Sequence, residues 1–136
     1  MLIYAFYSLG KTTFVKNHES IAEDKDEEYF INNSFPKNYR DSISQVKKPL
    51  IFVNARKNVL NESEIKMAFI PENMEMVIER LQKRGVDKSF TNELERNKDG
   101  ILEELKNRFP KAIVVKENEY LSDFEDEIIN KLLMET

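Results

Sequence analysis

The sequence predicts an α/β domain in which a five-stranded parallel sheet lies between two layers of helices. Three observations predict it. Short apolar runs of strand length alternate with amphipathic helical stretches five times over. The run Pro49-Leu50-Ile51-Phe52-Val53 is continuously apolar, as a strand covered on both faces should be. Gly10, Pro36, Pro71, Gly85 and Pro110 fall at the ends of these segments or between them.

Residues 2–7 are apolar and aromatic and predict the first strand; Ser8, Leu9 and Gly10 break the run. Lys11 to Lys16 reads as a short helix with Phe14 and Val15 turned inward. Ser20-Ile21-Ala22 suggests a weak second strand, followed by a solvated acidic stretch from Glu23 to Glu28. A loop through Asn32-Asn33-Ser34-Phe35-Pro36 leads into a helix over 37–47, where Tyr39, Ile43 and Val46 recur at helical spacing. The third strand is 49–53. Val59 and Leu60 are expected on a short helix before a fourth strand at 66–70, ended by Pro71. Asn73 to Lys83 carries Met74, Val77, Ile78 and Leu81 on one stripe, with Gly85 as its C-cap. A further helix covers 88–108, a fifth strand 112–115, and a final amphipathic helix 120–134. Strands that alternate with helices this way are joined by right-handed crossovers. With no repeat, low-complexity tract or linker in view, residues 1–136 read as one domain.

Composition narrows the chemistry. Without cysteine there is neither a disulfide nor a thiolate metal site, and His18 is the only histidine. The absence of a signal-peptide pattern or a long apolar run points to a cytoplasmic protein, free of the membrane. A net charge of −4 argues against broad nucleic-acid binding, yet leaves room for a nucleotide, which needs only a few local cations. Oligomeric state is not encoded in any of these features.

The segment Ala5-Phe6-Tyr7-Ser8-Leu9-Gly10-Lys11-Thr12 carries most of the chemical information. It runs from the first strand into the first helix and ends in the Gly-Lys-Thr of a phosphate-binding P-loop, although Ala5 stands where the Walker A pattern has its first glycine. In such a loop Gly10 lets backbone N–H groups approach phosphate oxygens, and the helix N-terminus adds partial positive charge. Lys11 would neutralise the β- and γ-phosphates, the Thr12 hydroxyl would ligate Mg²⁺, and Thr13 would pack or donate near the α-phosphate. Ser8, Leu9, Gly10, Lys11, Thr12 and Thr13 are therefore the candidate nucleotide-binding residues. The alternative is a Gly-Lys-Thr tripeptide at an ordinary strand–helix turn.

With these residues the chain resembles the small P-loop nucleotide kinase-like proteins of the adenylate kinase type that are common in phage genomes. That family runs from its first strand into Ala-Phe-x-x-x-Gly-Lys-Ser/Thr. Asn33-Ser34-Phe35-Pro36-Lys37-Asn38-Tyr39, Arg80-Leu81-Gln82-Lys83-Arg84-Gly85 and Tyr120-Leu121-Ser122-Asp123 resemble three further family segments in the same order. The resemblance implies a three-layer P-loop NTPase fold. It also implies transfer of the γ-phosphoryl group of ATP, with Mg²⁺, to a nucleoside monophosphate or deoxynucleotide. Host cytoplasm is implied if the source is a phage. Two departures stand out: Ser8 occupies a position where relatives carry a second glycine, and Asn54 ends the third strand where a Walker B carboxylate would stand.

Other residues have expected roles with plainer counterparts. Arg84 and Arg80, four residues apart, would close over the transferring phosphate; alternatively they pair with Glu79 and Glu75 on a solvated face. Arg56, just beyond the third strand, and Arg40, on the helix after Phe35-Pro36, are candidates for holding the acceptor phosphate, and Arg96 is a weaker one; exposed helix arginine is the plainer reading of Arg40. Asp24 or Asp26 would orient an acceptor hydroxyl or a metal-bound water, unless the run is merely a solvated loop. Tyr39 would stack on a base or sit in the core. Two rivals differ in kind: a nucleotide-binding module without phosphotransfer, and a degenerate interaction protein that retains only the fold.

Overall fold

The computed structural model describes residues 1–135. Five strands, β1 (Leu2–Ala5), β2 (Ala22–Lys25), β3 (Leu50–Val53), β4 (Ile65–Pro71) and β5 (Ile113–Val115), form one parallel sheet in the order β2-β3-β1-β4-β5. Helices α1 (Lys11–Asn17), α2 (Lys37–Ser44), α3 (Met74–Lys83), α4 (Lys88–Arg108) and α5 (Glu125–Glu135) supply the covering layers. The predicted α/β class and five-stranded parallel sheet are what the chain forms.

Alternation along β1 explains the two layers, because successive side chains leave a strand on opposite faces. Leu2 joins Tyr39 and Ile43 of α2 with Ile51 and Val53, and Tyr4 packs on Phe109 at the end of α4 with ring centroids 4.6 Å apart. On the other side Phe14 of α1 stands edge-on to Phe52 at 5.3 Å, and Phe69 meets Phe124 just before α5 at 5.5 Å. Every residue of β1 and β3 is buried, which their unbroken apolar sequences foretell.

Several local expectations are corrected. The acidic stretch is not a solvated loop: Glu23, Asp24 and Lys25 lie within β2, paired with Ile51, Phe52 and Val53, and a 3₁₀ turn follows at Glu27–Phe30. An edge strand needs little apolar content, since one of its sides has no partner and its faces are only partly covered. Val59 and Leu60 lie in a turn with Asn58 at φ 71°, and the short helical piece comes later, at Glu62–Glu64. The last helix is preceded by a 3₁₀ turn at Leu121–Phe124, where Tyr120 N donates to Asp123 Oδ2. Tyr39 is fully buried and its hydroxyl donates to the Lys25 carbonyl, which places it in the core.

Two further contacts fasten the layers. His18, at the end of α1, stacks on Phe14 and places one ring nitrogen 2.8 Å from the Phe14 carbonyl and the other 2.8 Å from Glu125. Arg108, nearly buried, grips the Glu62 carboxylate with two nitrogens and lies over the rings of Tyr4 and Phe109.

Candidate functional site

A cleft of about 800 Å³ opens at the carboxyl end of the central strand. Topology places it there. The chain leaving β1 crosses toward β2, whereas the chain leaving β4 turns toward β5 on the other side, so the loops diverge between neighbouring strands. The segment Tyr7–Gly10 forms one wall, and the Lys11, Thr12 and Thr13 side chains open from the first turn of α1.

Two residues of this segment hold the left-handed backbone that bends it. Gly10 has φ 96° and precedes α1; a Cβ there would come within 3.3 Å of Tyr120. Both the conformation and the close approach require glycine. Ser8 has φ 64° although it carries a side chain. The left-handed turn that a glycine would adopt freely is therefore kept at Ser8, at a conformational cost of about 1 kcal/mol. Leu9 points its side chain into the core, and its carbonyl accepts the Leu121 N–H at 2.8 Å. Any contribution from Leu9 to a ligand is thus limited to its backbone N–H.

Lys11 is only 8% exposed, and its ammonium lies 2.5 Å from Asp26 Oδ1 and 3.6 Å from Asp24 Oδ1. An unpaired ammonium at that depth would be strongly destabilising, so the two carboxylates act as its counterions. Asp24 is the more costly partner. Burial pushes its carboxyl up to about 6 against the opposing pull of Lys11, and Asp26 adds to the rise. Its Oδ1 and the Ser8 hydroxyl are both buried without a hydrogen-bond partner. Ser8 Oγ lies on the loop, and Asp24 Oδ1, on β2, keeps only the Lys11 ammonium at 3.6 Å; buried polar atoms without a hydrogen bond call for an explanation.

The Asp24 environment makes a pH-dependent prediction. The unfolded carboxyl ionises near 3.8 and the folded one near 6, so the folded state holds the extra proton between those values. Stability contributed by this group is therefore present below pH 3.8 and is lost as pH rises through 6. Asp24→Asn is expected to raise unfolding stability by about 2 kcal/mol at pH 7.5 and by nothing near pH 3.5. Urea midpoints measured across that range check it; an equal gain at both ends would refute the burial explanation.

The arginines divide sharply. Arg80, on α3, donates from Nη1 to the Ser8 carbonyl at 2.9 Å and from Nη2 to the Glu117 and Glu119 carbonyls at 2.9 and 2.8 Å. Its guanidinium also lies over the Tyr120 ring at 3.9 Å. This side chain borders the cleft and ties the loop to the segment before α5, with both terminal nitrogens engaged. Arg84, at the C-terminus of α3, is exposed on the cleft rim, and its guanidinium has no ion-pair partner among the described residues. The glutamates that offered the plainer pairing are taken elsewhere: Glu79 by Lys83 and Glu75 by Lys98.

Arg56 and Arg40 are not brought to the cleft. Arg56 binds Glu27 through Nε at 3.0 Å and through its backbone N–H at 3.2 Å, and it faces the Phe35 ring. Arg40 donates to the Val59 carbonyl at 2.6 Å and borders a separate groove with Leu2, at the opposite end of β1. Arg96 is exposed on α4, beside another shallow depression. Asn54 serves as an acceptor, capping the turn after β2 through the Glu27 N–H at 3.2 Å.

Other features of the cleft were not singled out by the sequence. Phe90 and Tyr29 line it together with Tyr7, whose ring stands edge-on to Phe90 at 5.4 Å. Tyr29 is 79% exposed. Its position at the end of the acidic stretch was the available signal, but only the short 3₁₀ turn brings it to the cleft. No helix among the described residues is long and apolar enough to cross a membrane. No protein-family model matches the chain, and no curated protein matches it.

Proposed function

We propose that the chain is a phosphotransferase of the nucleotide-kinase type that binds ATP in this cleft and passes its γ-phosphoryl group to a small acceptor. The observation that carries the reading is the placement of Lys11. It begins a helix directly after a left-handed glycine at the carboxyl end of the central strand, with its ammonium held at the cleft. Free backbone N–H groups at a helix N-terminus, joined to a lysine, suit a chain of phosphates.

Lys11 exchanges its carboxylate partners for the β- and γ-phosphates when the triphosphate enters. Arg84 supplies positive charge where charge develops on the transferring group. Mg²⁺ fits the donor set: the exposed Thr12 hydroxyl is a hard oxygen ligand, and such an ion commonly takes few protein ligands alongside phosphates and water. When bound, the ion neutralises phosphate charge and aligns the γ-phosphoryl group. Tyr7 and Phe90 offer a ring surface for the base.

Triphosphate binding without transfer is the second reading, favoured by the engagement of Lys11 with two carboxylates and by Asn54 where a carboxylate would assist a metal. A transfer assay with γ-labelled ATP, Mg²⁺ and a panel of nucleosides and nucleoside monophosphates decides between them. Labelled product is expected, and Arg84→Met should lower kcat about 100-fold while leaving the ATP KM within a few-fold. ATP binding with no labelled product from any acceptor would replace the first reading by the second.

A further inference from the structure

The charges around the cleft are separated in a way that bears on the acceptor. Its cations, Lys11, Arg80, Lys83 and Arg84, all stand on α1, on α3 or at the C-cap of α3. The side formed after β2 is acidic: Asp26 and Glu28 line it, and Tyr29 adds an exposed ring. A monophosphate acceptor needs cations on that side, and the two arginines closest in sequence to the role are committed elsewhere. Arg56 provides both hydrogen bonds to the buried Glu27 carboxylate, and Arg40 borders a groove at the other end of the sheet. Withdrawing Arg56 toward a phosphate would strip a carboxylate that is only 7% exposed of its charged partner. A dianionic acceptor would also face Asp26 and Glu28 directly.

Resting on the phosphotransferase reading, we propose that the acceptor is an uncharged hydroxyl compound with a flat ring, a nucleoside, and that Asp26 receives the hydroxyl proton. Tyr29 offers its exposed face to the acceptor base, since aromatic faces stack on bases with little regard to sequence. The hydroxyl oxygen forms a bond to the γ-phosphorus, and the bond from that phosphorus to the β,γ-bridging oxygen breaks. ADP leaves with the bond's electron pair, and the hydroxyl proton passes to the Asp26 carboxylate. Lys11, which holds Asp26 Oδ1, releases it on moving to the phosphates. Triphosphate binding thereby frees the base as it places the phosphoryl donor.

The chain is tested with γ-labelled ATP and Mg²⁺ against nucleosides, the matching nucleoside monophosphates and simple sugars, with ATP binding followed in parallel by calorimetry. Nucleoside kcat/KM is expected to exceed monophosphate kcat/KM at least 30-fold, and Glu28→Lys should narrow that ratio about tenfold. Asp26→Asn should lower transfer more than 100-fold while ATP binds as tightly as before or more so, because Lys11 has lost its main counterion. A monophosphate preference, a sugar preference, or Asp26→Asn transfer within threefold of wild type would each overturn the proposal. So would ATP binding without transfer to any acceptor, which leaves triphosphate recognition intact. Absence of ATP binding would instead overturn the parent reading, and this proposal with it.

Discussion

Arg80→Met is expected to destabilise the protein by about 3 kcal/mol and to weaken nucleotide binding, although Arg80 contacts no phosphate in the proposed scheme. One guanidinium satisfies three backbone carbonyls from two separate segments, Ser8 on the loop and Glu117 and Glu119 before the last helix. Hydrogen bonds from a charged donor contribute about 1.5–3 kcal/mol each, and water recovers part of that loss at the more exposed carbonyls. Methionine retains the stem's packing and removes only the fork, which isolates the polar term. Arg80→Lys should recover little, since an ammonium cannot span three acceptors with planar geometry. Urea denaturation gives the stability change. A loss below 0.5 kcal/mol for both variants would show that the loop does not depend on this brace.

The second large effect is expected at Gly10. Alanine there meets two separate penalties: φ 96° is strained for any side chain, and the new Cβ lies 3.3 Å from Tyr120 Cβ and Cδ1 and 3.5 Å from the Leu121 nitrogen. Tyr120 yields poorly, because its ring is held beneath Arg80. A loss of about 3 kcal/mol is expected. Gly85→Ala provides the control. It shares a positive φ, 75°, but its Cβ would enter open space, so only the backbone penalty of about 1 kcal/mol applies. Comparable losses at the two positions would contradict the steric role of Tyr120.

Much of the architecture was legible because burial on both sheet faces leaves a direct mark on sequence. The β1 and β3 runs could hardly be read otherwise, and Gly10-Lys11-Thr12 announced the strand-to-helix turn. The second strand was harder to see, since Glu23, Asp24 and Lys25 look like solvent-facing residues until β3 is known to pair with them. Arginine roles were legible least of all. Arg80, Arg84, Arg56 and Arg40 are chemically identical letters, and their separation into a brace, a free cation, a carboxylate partner and a helix tie depends on which carbonyls and carboxylates tertiary packing brings near. Sequence spacing put Arg80 and Arg84 on one helix face, yet the left-handed turn at Ser8 is what presents a carbonyl to the first of them.

The Lys11–Asp26 contact belongs to the same class. Fifteen residues separate the partners, and they meet only because α1 returns the chain to β2 beside β3. A lysine paired with two carboxylates has to exchange them for phosphates on binding a triphosphate, and its removal should show in the affinity. Calorimetric titration of ATP and GTP with Mg²⁺ into wild type and Lys11→Met tests this most directly. Saturable binding by wild type, weakened at least 30-fold by the substitution, is the expected result. No heat of binding at millimolar nucleotide, or equal affinity in the two proteins, would contradict a nucleotide-binding role for this loop.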